Sequence, residues 1–363
     1  MYNQIKFSYR PVRGAAQNCV LRGSRYCKAN AKRELVTAPG PKTWSDVKTA
    51  FYRGGNVMSI IDIDDGFIRA TITRRNPDSH KGTYGKVLIY AGSAGMAGAA
   101  VLCGSAALKS GSGLVRYQLP SFDSPLLTIL QISVPEATCL EFDPDADFNE
   151  YDAIACGPGL GKGSAQKEIL ACILDNYERK LILDADALNM ISEDEELADK
   201  VRNSAATVIM TPHIGEARRL LGRFDKLRTE DSRVTAAREI AEKYNSIAIL
   251  KSARTLIAKP HSEDIYRNTG GNPGMATGGS GDVLTGVLVS LAGQGRSPML
   301  SAITAVFIHS LAGDMAADDL GEFGMISSDI VDHLPYAIKK YDPKIVPAPA
   351  PVNVSGFTED FTI

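Results

Sequence analysis

Short apolar runs alternate with amphipathic segments along most of the chain, beginning near residue 86. Apolar runs bounded by glycine, proline or acidic residues are typical of buried strands. They occur in KVLIYAG (86–92), LVRYQLP (114–120), YDAIACGPG (151–159), KLILDADAL (180–188), ATVIMTPH (206–213) and SIAILKSARTLIA (246–258). The last segment predicts two strands around a turn, a β-hairpin.

Helical patterns fill the intervals between these strands. They occur in GAAVLCGSAALKSG (98–111), SAQKEILACILDNY (164–177), GEARRLLG (215–222), VTAAREIAEKYN (234–245), DVLTGVLVSLAGQG (282–295) and PMLSAITAVFIHSLAGDMAADDLG (298–321). Strands that alternate with helices favour a parallel sheet covered on both faces. No linker divides residues 58 to 340 and no fixed-period repeat is present, so we predict one α/β domain.

Five loops that follow these strands are predicted to meet at one edge, because ligands of such sheets bind outside the carboxyl ends of the strands. The loops are AGSAGMAG (91–98), GPGLGKG (157–163), DADALN (184–189), TPHIGE (211–216) and NPGMATGGSGDVLTG (272–286). That edge is the default binding site.

Composition and charge exclude some classes of function. The chain is 44% hydrophobic with a net charge of -2, so it gives no sign of binding nucleic acid. No run of about 18 apolar residues is present, so we expect no membrane span. The six cysteines are scattered without a CxxC pair, which predicts reduced thiols and a cytoplasmic location rather than a disulfide framework or a zinc site.

The charge is distributed unevenly. Residues 1–57 carry eleven Lys and Arg against two acids, which gives about +9 and leaves about -11 for the remainder. Such a leader is either a disordered or misassigned extension or a targeting segment. Met58 begins a segment that reads like a natural start with a helical pattern. We therefore predict an extension over 1–57, the α/β domain over 58–345 and a flexible Pro-rich tail over 346–363.

The glycine loops do not match the common nucleotide motifs. A P-loop needs GxxxxGK[ST], which GSAGMAGAA lacks. A dinucleotide fingerprint needs GxGxxG, but in GPGLGKG the third glycine position is Lys162.

The GGSGD stretch before an apolar helix predicts an anion hole. Glycines allow backbone N–H groups of Gly279, Ser280 and Gly281 to converge, and a helix N-terminus favours a phosphoryl group. Asp282, expected as the first residue of that helix, is either an N-cap or a general base beside the phosphoryl group.

Three further stretches carry candidate polar side chains, each with a structural alternative. Lys251 and its turn either contact a nucleotide or form a surface hairpin. His213 either binds substrate or is structural, and Glu216 either holds a water ligand of a metal or caps a helix. Asp184 and Asp186, with Asn189 in the following turn, are candidates to orient Mg²⁺ waters or a substrate hydroxyl, or are turn residues.

Two other histidines receive predictions. His309 lies within the apolar helix and is assigned to packing, and His80 lies in the SHKGTYG loop, predicted as a lid or an interface.

Taken together, these motifs resemble the ADP-dependent NAD(P)H-hydrate dehydratase family, in the same order and over about residues 60 to 340. The segments that carry the resemblance are SHKGTYGKVLIYAGSAGMAGAAVLCGSAALKSGSGLV, GPGLG, LDADALN, TPHIGEARRLLG, LKSARTLIA and NPGMATGGSGDVLTG. The resemblance implies a ribokinase-like fold, a three-layer αβα sandwich. It also implies dehydration of (S)-NADHX and (S)-NADPHX to NADH and NADPH, through phosphorylation of the ring hydroxyl and loss of phosphate.

The resemblance also assigns roles to residues and partners. Ala99, Gly159, His213 and Asp282 resemble substrate-binding positions, with Asp282 the catalytic base. The nucleotide positions are Lys251, Ser252, Ala253, Arg254, Thr255 and Gly281. The NPGMATGGSGD stretch favours ADP over ATP as phosphoryl donor, giving AMP and phosphate. Mg²⁺ is the expected cofactor, its ligands unassigned. The resemblance implies a homotetramer. It also implies a separate NAD(P)HX epimerase, because residues 1–57 are too few for an epimerase domain.

Two alternatives remain at this point. A ribokinase-like vitamin kinase acting on a thiazole or pyridoxal alcohol would share the anion hole and its aspartate, without needing the large ring-binding surface. A nucleotide-sensing module without turnover would have no need of a base at Asp282. The pattern does not choose between NADHX and NADPHX.

Overall fold

A computed structural model describes residues 48–53, 56–122, 124–224 and 226–343. The chain divides into two units, Met1–Asp46 and Val47–Ile363, and every described residue belongs to the second. The Pro-rich tail predicted over 346–363 and most of the extension predicted over 1–57 lie outside the described residues.

Eleven strands in the described residues form one sheet in the order β1-β2-β11-β10-β9-β8-β7-β6-β3-β4-β5. The strands are β1 Lys48–Arg53, β2 Asn56–Asp62, β3 Lys86–Tyr90, β4 Leu114–Leu119, β5 Thr138–Glu141, β6 Ala153–Cys156, β7 Lys180–Leu183, β8 Thr207–Met210, β9 Ile247–Leu250, β10 Leu256–Ala258 and β11 Asp264–Arg267. The segment from β9 through β5 is parallel, and β10 runs antiparallel to both neighbours. The predicted hairpin is therefore confirmed.

Eleven α-helices cover the sheet within the same residues. They are α1 Asp65–Thr71, α2 Ala97–Lys109, α3 Pro125–Ser133, α4 Ser164–Asn176, α5 Ala185–Glu193, α6 Glu195–Arg202, α7 Ile214–Leu220, α8 Glu230–Tyr244, α9 Ser280–Gly293, α10 Pro298–Leu320 and α11 Ser327–Lys339. Helices α4 to α8 pack on one face, and α1, α2, α9, α10 and α11 pack together on the other. The predicted three-layer αβα architecture is confirmed.

The central strands are buried on both faces, as expected for parallel strands between two helical layers. Leu181 and Leu183 of β7 belong to the core beneath α4 to α8, and Ile182 between them is equally buried. A continuous apolar run, rather than strict alternation, is therefore the sequence signature of these strands.

Helix α9 packs tightly against α2. A Cβ at Gly286 would overlap the carbonyl group of Cys103, so glycine is required for this approach. Every residue of α9 from Val283 to Gly293 is buried. The contact fixes the position of α9, whose first turn lies at the ligand edge of the sheet.

Two predictions about the N-terminal half need correction. The segment that begins at Met58 is helical only from α1 onward, because 56–62 form β2, which pairs with β1 and β11. The extension predicted over 1–57 includes strand β1 and the start of β2, so its last residues form strands. SHKGTYG precedes β3, at the end of the strand opposite the ligand edge, so the lid alternative is wrong and the interface alternative stays a prediction; His80 caps a 3₁₀ turn at 81–84.

Helix α10 is long and apolar enough, by length and composition alone, to cross a membrane. The sequence prediction, based on uninterrupted apolar runs, did not single out this segment. In the fold, 72% of its most apolar window is buried among other helices. It is accordingly a core helix of the α/β domain. Four cysteines in the described residues, Cys103, Cys139, Cys156 and Cys172, are free thiols, as predicted.

Candidate functional site

The five predicted loops do meet at one edge of the sheet. Strands β9, β8, β7, β6 and β3 are consecutive neighbours and parallel, so their carboxyl ends lie side by side. The loop before α9 follows β11, which points the same way as β9 because β10 reverses between them. The topology therefore gathers the candidate side chains that the sequence distributes over nearly two hundred residues.

A buried ion pair lies at the centre of this edge. Asp184, at the end of β7, is 1% exposed, and its Oδ1 accepts a hydrogen bond of 2.7 Å from Lys251 Nζ at the end of β9. Its Oδ2 accepts a second hydrogen bond of 2.7 Å from the Thr285 hydroxyl of α9. Both carboxylate oxygens are thus satisfied, which offsets the cost of burying the charge.

The protonation of Lys251 is maintained by its acidic neighbours. Burial alone would lower the pKa of this side chain, but the carboxylates of Asp184 and Glu216 outweigh it and raise the pKa. The ammonium group therefore supplies a permanent positive charge at the edge, next to the first turn of α9.

Asp282 is the third residue of α9, since the helix begins at Ser280 and has Gly279 as its N-cap. The expectation that it would be the first residue is wrong, because the glycines of the motif continue into the helix. Burial, and after it the nearby Asp184 carboxylate, raise the pKa of Asp282 to about 6 against the opposing charge of Lys251. A carboxylate with a pKa near neutrality is suited to accept a proton in catalysis.

The first turn of α9 has the backbone geometry of an anion site. Gly279 has a φ of 94°, which is in the left-handed region, and the N–H groups of the first turn have no intrahelical carbonyl partner. A Cβ at Gly281 would lie 3.1 Å from Lys251 Nζ, so glycine leaves room for the ammonium group there. Helix dipole and lysine thus place positive charge at one point.

His213 and Glu216 cap helix α7 together. The His213 Nδ1 accepts a hydrogen bond from the Gly215 amide at 2.8 Å, and Glu216 Oε2 accepts one from the His213 amide at 2.8 Å. Burial, with the charges of Lys251 and Arg219, lowers the pKa of His213, and burial raises the pKa of Glu216. The capping alternative is therefore realised, while the His213 side chain stays 54% exposed at the edge.

The predicted substrate positions Ala99 and Gly159 lie against each other. A Cβ at Gly159, whose φ is 58°, would lie 2.8 Å from the Cβ of Ala99. The Ser93 hydroxyl donates to the Gly159 carbonyl at 2.8 Å and joins the two glycine loops. Both residues are buried, so their small size allows the GPGLG loop to pack closely against the first turn of α2.

The turn after β9 is held by its own hydrogen bonds. The Ser252 hydroxyl donates to the Arg254 carbonyl at 2.7 Å, and the Thr255 hydroxyl donates to the Ser252 carbonyl at 3.2 Å. Ala253 and Arg254 at its tip are exposed. Of the five predicted nucleotide positions in this turn, Lys251 alone belongs to the buried ion-pair network.

The loop after β7 is also ordered by polar contacts. Asp186 Oδ2 accepts a hydrogen bond from the Gly161 amide at 2.8 Å, which connects it to the GPGLG loop. Ala185 between the two aspartates has a φ of 47°, a strained conformation for a residue other than glycine. Such strain at a ligand edge is typical of functional sites.

Two contributors were not assigned to the site from the sequence. Thr285 lies three residues after Asp282 on the same face of α9, and its hydroxyl donates to Asp184. The i, i+3 spacing from Asp282 is the sequence signal that could have identified it. His309, assigned to packing, has its Nε2 3.4 Å from the Ser280 hydroxyl. Burial lowers the pKa of His309 to about 4, so its ring is neutral and can orient Ser280.

No group of three His, Cys, Asp or Glu side chains in the described part of the chain is arranged to hold a metal ion. The carboxylates at the edge already accept hydrogen bonds from protein groups. The arrangement does not resemble an all-protein metal cage. It is compatible with an ion such as Mg²⁺, which is usually bound by one or two carboxylates together with substrate phosphates and water.

Comparisons with known proteins agree on one family. The family model described as NAD(P)H-hydrate dehydratase matches residues 87–336. The bifunctional NAD(P)H-hydrate repair enzyme Nnr of Moorella thermoacetica is 36% identical over 288 residues, covering 76% of this chain and 53% of that protein. This chain thus spans about half the length of that bifunctional relative.

A relative of similar size and a solved structure extend the match. The ADP-dependent (S)-NAD(P)H-hydrate dehydratase of Neisseria meningitidis is 38% identical over 258 residues, 70% of this chain and 86% of that protein. The crystal structure of the ADP/ATP-dependent NAD(P)H-hydrate dehydratase of Bacillus subtilis, co-crystallized with ATP/Mg²⁺, has 30% identity and a TM-score of 0.65. It covers 76% of this chain and 96% of its own, and the ribokinase-like fold expected from the sequence is confirmed.

Proposed function

The chain belongs to the NAD(P)H-hydrate dehydratase family, and we propose that it dehydrates (S)-NADHX and (S)-NADPHX to NADH and NADPH at the expense of ADP. The observation that carries this proposal is Asp282, with a pKa of about 6, in the first turn of α9 beside the Lys251 ammonium group. A base and an anion site at one point are what transfer of a phosphoryl group to a hydroxyl requires.

The first step of the proposed reaction is phosphoryl transfer. Asp282 accepts the proton of the hydroxyl on the hydrated nicotinamide ring, and the oxygen attacks the terminal phosphorus of ADP. The bond between the two phosphates of ADP breaks, and AMP leaves. The N–H groups of Gly279, Ser280 and Gly281, with Lys251, stabilise the charge on the phosphoryl oxygens.

The second step is elimination of phosphate. The carbon–oxygen bond to the new phosphate ester breaks, a proton leaves the adjacent ring carbon, and the ring double bond is restored. Hydroxide is a poor leaving group and phosphate is a good one, so the phosphoryl transfer makes the dehydration feasible. The overall products are NADH or NADPH, AMP and inorganic phosphate.

The hydrate-binding surface in this proposal comprises Ala99, Gly159, His213 and Asp282. The contact between Ala99 and Gly159 supports grouping these two positions, since it brings the first turn of α2 and the GPGLG loop together at the ligand edge. The exposed His213 ring, with a lowered pKa, would contact the hydrate in its neutral form, with Nδ1 accepting from the Gly215 amide and Nε2 lying 3.2 Å from Glu216 Oε1.

The nucleotide in this proposal contacts residues 251–255 and Gly281. The preference for ADP over ATP is supported by the NPGMATGGSGD stretch and by the Neisseria meningitidis relative, which is named as an ADP-dependent enzyme. The Bacillus subtilis neighbour is named as using either nucleotide, so the donor is the part of the proposal most directly open to experiment.

Mg²⁺ is part of the proposal as the counterion of the phosphates. The neighbour crystallised with ATP and Mg²⁺ supports it, as does the crowding of carboxylates around Asp282. Asp186 and Glu216 would hold the ion or its water ligands. When bound, it would neutralise charge on the transferred phosphoryl group.

We also propose a homotetramer, a cytoplasmic location and a functional pairing with an NAD(P)HX epimerase. The pairing is supported by relatives whose names describe a bifunctional repair enzyme. An epimerase would convert the R epimer, which this site does not accept, into the S epimer.

The test is incubation of the protein with (S)-NADHX, Mg²⁺ and either ADP or ATP, followed by absorbance at 340 nm. We expect ADP to restore the signal and the Asp282→Asn variant to lose it by about 10²- to 10⁴-fold in rate. Faster turnover with ATP would overturn the choice of donor alone. No recovery with either nucleotide would overturn the dehydratase assignment and direct attention to vitamin alcohols as substrates.

A further inference from the structure

A second cavity lies at the opposite end of helix α9 from Asp282. It has a volume of about 690 Å³ and is formed by the end of α1 with the segment after it, the 3₁₀ turn before β3, the end of α2, the connection from α9 to α10 and the end of α11. We call it the arginine cavity, after Arg74, Arg75 and Arg296 in its lining. Helix α9 has 14 residues, so about 20 Å separate the two sites.

The lining of the arginine cavity is strongly cationic. Five Lys and Arg side chains line it against a single acid, Asp342. One of the five, Lys109, pairs with Asp332. The arginines and Lys339 leave a concentration of positive charge at one concave surface.

Two of the arginines are oriented by uncharged groups. Arg296 Nε donates to the Thr71 carbonyl at 3.1 Å, and its Nη1 donates to Gln294 Oε1 at 3.1 Å. Arg75 Nη2 donates to the Gly111 carbonyl at 2.5 Å, and its guanidinium lies 3.9 Å from the centroid of the Tyr84 ring. No carboxylate within residues 59–343, as far as the structure describes them, forms an ion pair with either arginine.

Burial and mutual repulsion make this arrangement costly for an empty cavity. The pKa of Arg296 is lowered to about 10, first because the side chain is buried and second because Arg75 is close. A carboxylate neighbour would have the opposite effect. The positive charge of Arg296 is therefore held in place by packing and hydrogen bonds, and no carboxylate in the described part of the chain forms an ion pair with it.

An unused hydroxyl adds a polar group to the same wall. Ser110 lines the cavity and is 5% exposed, and its Oγ has no hydrogen-bond partner among the described residues. A buried hydroxyl without a partner is uncommon in folded proteins. Ser297, the N-cap of the long helix α10, also lines the cavity, so the positive end of that helix dipole adds to the arginines.

We propose that the arginine cavity binds a phosphorylated small molecule of about nucleotide size. A guanidinium group can donate two parallel hydrogen bonds to two oxygens of a phosphate. Within the described ranges, Arg75 and Arg296 both have N–H groups without a protein acceptor, and two such groups together suit a phosphate better than a carboxylate. The volume exceeds what a phosphate needs and lies in the range of small-molecule sites. Leu291 and Leu300 supply an apolar wall for the rest of the ligand.

The test is equilibrium dialysis of the full chain with radiolabelled ADP, comparing the unmodified protein with Arg75→Gln and Arg296→Lys variants. The result is the difference in bound ADP between the unmodified protein and each variant. ADP bound at the catalytic edge is the same in all three proteins and cancels, so failure of the proposed dehydratase function would not affect the result. Arg296→Lys keeps the charge and the fold but loses the forked donor geometry, so it guards against simple unfolding.

We expect each variant to lose one class of ADP site or to weaken it about tenfold, the equivalent of one lost charge-assisted hydrogen bond. Adenosine, which lacks phosphate, should not occupy this site. ADP binding that is unchanged in both variants would overturn the proposal. Inorganic phosphate that binds there as tightly as ADP would overturn the assignment of a nucleotide-sized ligand.

Discussion

The two ends of helix α9 concentrate charge of opposite sign. At its first turn, Asp282 lies close to the carboxylates of Asp184, Asp186 and Glu216, with Lys251 as the balancing cation. At its last turn, Arg75 and Arg296 lie together without a carboxylate partner in the described residues. At each end, the pKa shift favours the uncharged form of the crowded group: the pKa of Asp282 is raised and the pKa of Arg296 is lowered.

The difference between the two ends lies in how the charge is compensated. The acidic end contains a complete internal ion pair with every carboxylate oxygen of Asp184 satisfied, so it is stable without a ligand. The arginine end is held by carbonyl and amide oxygens, which orient the guanidinium groups without neutralising them. The first arrangement combines a proton acceptor with an anion site, and the second is suited to binding an anion without proton transfer.

The largest effect is expected from breaking the ion pair at the acidic end. Lys251→Met would leave the buried Asp184 carboxylate without its cation, and we expect a loss of about 3–5 kcal/mol in the free energy of unfolding. The double variant Lys251→Met/Asp184→Asn removes both charges and should recover most of that loss. Urea denaturation of the three proteins measures the difference, and a double variant as unstable as the single one would contradict the pairing.

An intermediate effect, of opposite sign, is expected from Asp282→Asn. The pKa of Asp282 is raised in the folded protein, so its favourable contribution is complete below the unfolded pKa near 4 and is lost as pH rises through about 6. Removing the charge should therefore stabilise the protein above pH 6, by up to about 3 kcal/mol, and have little effect at pH 4.

The same titration should appear in catalysis. Because Asp282 must be ionised to accept a proton, kcat/KM of the unmodified enzyme should fall about tenfold per pH unit below about 6. Thermal unfolding across pH and a pH–rate profile measure the two effects independently. A stability difference between variant and unmodified protein that does not change from pH 4 to pH 8 would exclude the raised pKa.

The smallest effect on turnover is expected at the arginine end. Arg75→Gln alters a group about 20 Å from Asp282, so dehydratase kcat should stay within about twofold of the unmodified value. The control is Arg74→Gln, an exposed neighbour in the same lining. A large loss of kcat in Arg75→Gln but not in Arg74→Gln would mean that the two ends of α9 are coupled rather than separate.

The fold and the ligand edge were accessible from the sequence because both depend on local patterns. Continuous apolar runs such as 180–183 and 247–250 identify strands buried on both faces, and the loops that follow parallel strands must share an edge. The short strands β5 and β11 were missed, since their segments lack a distinct apolar run, and helix α3 was missed although its segment PLLTILQIS is apolar.

The remaining features depend on contacts between distant residues. The Lys251–Asp184 pair joins residues 67 positions apart, and the sequence shows each as a candidate without showing that they touch. The arginine cavity is built from five separate segments, 70–75, 83–84, 109–111, 291–300 and 335–343, and no local pattern shows that they meet. The exact start of α9 was misjudged because glycine is usually read as an interruption, whereas Gly281 lies inside the helix.

The order of the layers along the chain has a consequence for biosynthesis. The strands are complete by Arg267, and α4 to α8, which cover one face, are made between the strands. Helices α9, α10 and α11, which cover much of the other face, begin only at Ser280. While the ribosome is still making these three helices, the part of the apolar sheet face that they cover is exposed to water. The incomplete chain is therefore the form most exposed to aggregation and to chaperones.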